Sequence, residues 1–149
     1  MSGGTDLIKL YSQRILALSA EIPHLDPLDQ ADGEAKKRSP LCGSTVSVQL
    51  VLTDGRISAY AQDVKACALG QASAAVSGAV IIGRTRAEVE TARRQLSDML
   101  KRGGSVPDAP FDGYEVLEPA KDYKNRHASI LLTLDATLDA FDKALEAAA

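Results

Sequence analysis

An α+β domain, with helices packed on one face of a small antiparallel sheet, is what this sequence predicts, and three observations carry it. Thr45 to Thr53 alternates Val46, Val48, Leu50 and Leu52 with Thr45, Ser47, Gln49 and Thr53, the period of two of a half-buried strand. Asp54-Gly55 follows at once, and this pair suits a type I′ hairpin, which needs positive φ at both central positions. On either side, apolar residues recur at three and four, the spacing of amphipathic helices.

Composition sets the limits. The 149 residues suit a single domain, 1–149. At 45% hydrophobic, with four tyrosines, two phenylalanines and no tryptophan, the chain buries an aliphatic, alanine-rich core. A formal net charge of −3 argues against a general nucleic-acid binder. No apolar run approaches the roughly 20 residues that span a bilayer, and Met1 to Asp6 is not a signal peptide. Two cysteines without secretory context point to a reducing compartment and to ligand, redox or buried-thiol roles. The expected location is the cytoplasm.

The elements follow in order. Thr5 or Asp6 caps a first helix with Leu7, Leu10, Tyr11, Ile15 and Leu18 on one face, ended by Pro23 and Pro27. His24 to Arg38 is a long polar connection with a short edge strand near Ala35 to Ser39, and its acidic-to-basic switch reads as a solvated surface. His24 reads as a surface residue rather than a ligand. Arg56 to Val64 is the returning strand, with Ile57, Ala59 and Ala61 on one face and Tyr60 and Gln62 on the other. A small-residue helix then runs from Ala66-Cys67 to about Ile82, buries Leu69, Ala72, Ser73, Val76 and Val80, and is closed by Gly83. Thr85 and Glu88 form a capping box for a helix reaching Lys101, with Val89, Ala92, Leu96, Met99 and Leu100 inward and its arginines in solvent.

Gly103 to Pro119 reads as a loop anchored by Phe111, Tyr114, Val116 and Leu117, with a helical turn possible over Ala120 to Lys124. Asn125 caps the last helix, whose stripe is Ile130, Leu134, Leu138, Phe141 and Leu145.

Cys42 stands in a Pro/Gly-framed turn before the first clear strand, and Cys67 stands where the second gives way to a helix. The hairpin between them brings both thiols to one end of the sheet. A helix N-terminus stabilises a thiolate, and thiolates with imidazole suit zinc or iron. Their spacing matches no short metal motif, so two small buried hydrophobes remain an equal reading.

The order P-L-C-G-S, D-V-K-A-C-A-L-G-Q-A-S-A-A-V and R-H-A-S-I-L, with L-I-K-L-Y-S-Q-R-I-L at the start, resembles the NifU N-terminal/IscU/SufU iron–sulfur scaffold family over nearly the whole chain. The Gly103–Pro119 segment resembles the Suf-type branch. The resemblance implies a SufE/NifU-like fold, a non-enzymatic scaffold or carrier, and cysteine desulfurase and iron–sulfur apoproteins as partners. It also implies Cys42, Cys67 and His127 as ligands of an iron–sulfur cluster or of mononuclear iron or zinc.

Two family ligand positions are substituted. Ser44 stands where the family has aspartate, and Ala128 where it has its third cysteine, implicated in receiving sulfur. Serine is no anionic ligand near neutral pH. A cluster ordinarily needs four ligands, so a second chain or an external thiol would complete it here. The alternative is a degenerate member serving as an interaction module or as an accessory subunit of a larger iron–sulfur enzyme complex. No general base stands beside the motifs, which disfavours a metallohydrolase.

Overall fold

The computed structural model describes residues 12–40 and 43–148. Three antiparallel strands, β1 (Gly33–Arg38), β2 (Thr45–Thr53) and β3 (Arg56–Lys65), form one sheet in the order β1-β2-β3. Among the described residues, helices α1 (Gln13–Ala20), α2 (Ala68–Gly78), α3 (Arg86–Arg102) and α4 (His127–Ala148) accompany the sheet, with 3-10 turns at Phe111–Asp122 and Lys124–Arg126. The expected α+β class is the one observed. Among the described residues no helix is long and apolar enough to cross a membrane.

The β2–β3 hairpin forms as its sequence requires, with Asp54 at φ 54° and Gly55 at φ 76°. The face assignment of β3 is corrected. Leu52 pairs with Ile57 but Val51 pairs with Ala59, so Ser58 is an extra residue on β3. Such a bulge reverses the alternation beyond it. Ile57 is therefore buried, and so are Tyr60 and Gln62, which pair with Leu50 and Val48 on the core face.

The expected edge strand is β1, and its Lys36, Lys37 and Arg38 are exposed. Cationic side chains on an edge discourage pairing with another chain. At the opposite edge, the Ile57 and Gln62 N–H groups donate to Arg84 O and His24 O. His24 is half-buried, and its Nε2 lies 3.1 Å from Gly78 O.

Further boundaries differ from expectation. The proposed Thr5/Asp6 cap lies outside the described residues, while Ser12 caps α1 and accepts from the Ile15 N–H. Helix α2 stops at Gly78, because the chain beyond turns to the β3 edge, where the Gly83 N–H donates to Ile57 O. Val80 is consequently only half-buried. Within Gly103–Pro119 the expected loop holds only to Pro110. Phe111, Tyr114, Leu117 and Ala120 recur every three residues and are all buried, the repeat of a 3-10 helix. In place of an Asn125 cap, a 3-10 turn runs straight into α4 at His127.

Helix α3 carries its capping box, with the Thr85 hydroxyl accepting from Glu88 N–H and the Glu88 carboxylate accepting from Thr85 N–H. The backbone bond to Thr85 is the main cause that lowers the Glu88 carboxyl, with Arg84 assisting. All five expected core residues of α3 are buried.

Helix α4 lies on β1 and β2 and also meets α2 and α3. It is buried on more than the expected stripe: Leu131, Ala136, Ala140 and Ala144 are covered, while Leu138 is half-buried and Leu145 is 45% exposed. Gly33 makes this approach possible, since a Cβ there would strike Ala140 O and lie 2.8 Å from Ala144 N. Polar bonds lock the contact: Tyr60 Oη lies 2.7 Å from Thr137 Oγ1, which donates to Thr133 O at 2.8 Å.

Gly33→Ala is expected to force β1 off α4 and destabilise the protein by about 1–3 kcal/mol, read as a lower urea midpoint. Tyr60 gives a pH prediction. Burial, opposed by the Thr137 hydroxyl, pushes its phenol up to about 12 from the ordinary 10.0. A folded value above the unfolded one means a contribution complete below the unfolded value and lost as pH rises through the folded one. Tyr60→Phe should therefore cost about 1 kcal/mol at neutral pH and flatten the alkaline decline in melting temperature; an unchanged decline would exclude this phenol as its source.

Candidate functional site

The register Thr45↔Lys65 places the residues just before β2 and just after β3 at one end of the sheet. The turn leading into β2 is closed by Ser39 N–H donating to Ser44 O at 2.8 Å and Gly43 N–H donating to Ser39 O at 2.9 Å. Ser39 and Ser44 are buried. Cys42 lies outside the described residues, between these partners in sequence.

Cys67 is the N-cap residue of α2, in extended conformation at ψ 169°. Its thiol is free and half-buried, and its side chain makes no cap hydrogen bond. Instead Sγ lies 3.6 Å from Ser129 Oγ, which lies 3.0 Å from Ser44 Oγ. The structure thus joins the Ser44 turn, the start of α2 and the first turn of α4 through a thiol and two hydroxyls. Ser129 was not among the residues singled out from sequence. Its signal was a small polar residue two positions after His127, on a turn that has to face the thiol.

Close packing of the two helices positions Ser129. Gly70, one turn into α2, faces it; a Cβ there would lie 2.7 Å from Ser129 Oγ and 3.2 Å from Ser129 O. Beside it, Ser73 Oγ donates to Ile130 O at 2.6 Å, and Tyr114 Oη donates to Ser73 O at 3.1 Å. Burial raises the Tyr114 phenol well above its ordinary range, with the Ser73 hydrogen bond opposing. Tyr114 therefore acts as a neutral strut under the site.

His127 is buried at the start of α4. Its Nε2 lies 3.0 Å from Ala120 O and 3.1 Å from Lys121 O. Carbonyls only accept, so Nε2 carries a proton and donates to them. Ala128 is half-buried and contributes no donor atom. Among the described residues no three His, Cys, Asp or Glu side chains converge on a point that could hold a metal ion.

These features, a three-stranded antiparallel sheet with helices on it and a thiol held where the sheet end meets two helix N-termini, define a class of small α+β domain. The chain belongs to the NifU-like N-terminal family, with its IscU- and SufU-like relatives: it is similar to a nitrogen-fixing NifU-like protein (N-terminal) from Brucella abortus at 41% identity and TM-score 0.91, covering 95% of this chain and 98% of that one. It is also similar in fold to an iron–sulfur cluster assembly scaffold protein for the SUF system from Fervidobacterium islandicum, at 22% identity and TM-score 0.79, over 90% of this chain and 98% of that one. No family model and no curated protein matches the chain.

Gly70→Ala should part the starts of α2 and α4, costing about 1–3 kcal/mol. In a Cys42→Ser background it should also speed alkylation of Cys67 by iodoacetamide. Unchanged stability and alkylation would mean that the helices are not held at this contact.

Proposed function

We propose that this protein is a scaffold or carrier in iron–sulfur cluster assembly, binding iron, zinc or an iron–sulfur cluster as cargo through Cys42, Cys67 and His127. The observation that carries the reading is the placement of the Cys67 thiol, free, part-exposed and at the N-terminus of α2 beside Ser129 in the first turn of α4. Family membership supports it, as does a fold shared with a scaffold protein of the SUF system. The donor chemistry fits a soft or borderline cation: thiolates from Cys42 and Cys67, and imidazole from His127 through Nδ1. The bonds from His127 Nε2 to two carbonyls are of the kind that orient a ligating imidazole.

With Ser44 and Ala128 at substituted ligand positions, the set leaves one coordination position for water, an external thiol or a recipient's thiolate. An open position suits ligand exchange, so the protein acts as a carrier rather than a catalyst. Its partners are a cysteine desulfurase and iron–sulfur apoproteins, and the reducing cytoplasm keeps its thiols free. A second reading, a degenerate member serving as an interaction module or as a subunit of a larger iron–sulfur enzyme complex, draws support from the Ser44–Ser129 pair, in which two hydroxyls satisfy one another where an anionic ligand would stand.

Metal and acid-labile sulfide in anaerobically purified protein, beside Cys42→Ser/Cys67→Ser, separate the readings. Iron with sulfide, lost in the double variant, is expected for a cluster carrier; zinc or iron without sulfide, again lost, indicates a mononuclear site. No metal in either protein, with partner binding intact in the variant, would sink the carrier reading in favour of the interaction module.

A further inference from the structure

We propose that Ser129 is a positioning residue for the Cys67 sulfur, donating its hydroxyl proton to the thiolate once that thiolate is ligated. This deepens the metal-binding reading above and rests on it. Ser129 is 1% exposed and Ser44 3%, so neither hydroxyl relies on bulk water. Ser129 Oγ lies between Cys67 Sγ at 3.6 Å and Ser44 Oγ at 3.0 Å.

With a protonated thiol, either direction of donation is open along this chain. A metal-bound thiolate has no proton and only accepts. A serine hydroxyl has one proton to give, so a bond to the thiolate requires Ser129 to direct that proton at Cys67 and to accept from Ser44. Ligation thereby orients the row as Ser44 to Ser129 to Cys67. The backbone is prepared for this: Gly70 leaves the space that Ser129 occupies, and the next carbonyl, Ile130 O, is held by Ser73 at 2.6 Å.

A hydrogen bond to a bound thiolate withdraws electron density from sulfur. It raises the energy of thiolate-to-metal charge transfer, and in a cluster it shifts the reduction potential, as hydrogen bonds to cluster sulfurs do. Ser129 would tune how strongly the cargo is held without touching it.

The test is anaerobic titration of the metal-free full chain with Co²⁺, following the thiolate-to-cobalt absorption band. Wild type is expected to show a band that diminishes in Cys67→Ser. Ser129→Ala should move the band to lower energy and weaken Co²⁺ binding by about tenfold. Ser44→Ala, which keeps the donor but removes the hydroxyl feeding it, should move the band the same way by less. A band unshifted in Ser129→Ala overturns the inference and leaves the metal site standing. No thiolate band in wild type overturns the metal site, and the inference with it. Should Ser129→Ala fail to fold, Ser44→Ala decides, and an unmoved band there overturns the inference.

Discussion

The contact on which the rest of the structure depends is the close seating of α4 on β1 and β2. Small residues make it possible: Gly33 on the strand faces Ala140 and Ala144 on the helix, and any added Cβ would collide with helix backbone. Dispersion and apolar burial both gain from so short an approach. Buried hydroxyls then add direction, since Tyr60 can meet Thr137 only at one rotation of the helix about its axis. That rotation sets where the first turn of α4 presents Ser129.

Ion pairs add little to this frame. Arg86 holds Asp142 at 2.7 Å and Arg93 holds Asp135 at 2.8 Å, linking α3 to α4. The carboxylates of Asp142 and Glu90 stabilise the Arg86 guanidinium further in its charged form. Yet the side chains of the Arg86–Asp142 pair are 37% and 47% exposed, and pairs so open to water contribute about 0–1 kcal/mol. They orient the two helices; apolar burial of Leu96, Met99, Leu134 and Phe141 holds them together.

Ser44 and Ser129 form a neutral hydroxyl pair beside the Cys67 thiol. Each hydroxyl in the row has a hydrogen-bond partner, so burying it costs little, whereas a lone buried carboxylate would demand a cation. Behind the pair, Ser73 ties α2 to α4 through Ile130 O, and Tyr114 ties the 3-10 helix to α2.

Much of this was legible in the residue order. The alternation through β2, the Asp54-Gly55 turn, the Thr85/Glu88 box and the inward stripe of α3 are local signals, each set by backbone geometry within a few residues, and they reappear in the structure. The 3-10 helix was legible too, in the three-residue repeat from Phe111 to Ala120, but Gly, Pro and Asp in the same stretch spoke for a loop. Other features belong to tertiary structure alone. The Ser58 bulge turns Tyr60 and Gln62 inward because the core side of the sheet must meet α4, a demand absent from the strand's own sequence. Helix α2 ends at Gly78 because the β3 edge needs a partner. Ser129 reaches Cys67 across 62 positions of sequence. Local order determined which elements form; the close approach of α4 decided which side chains meet, because only packing between distant segments brings a hydroxyl to a thiol.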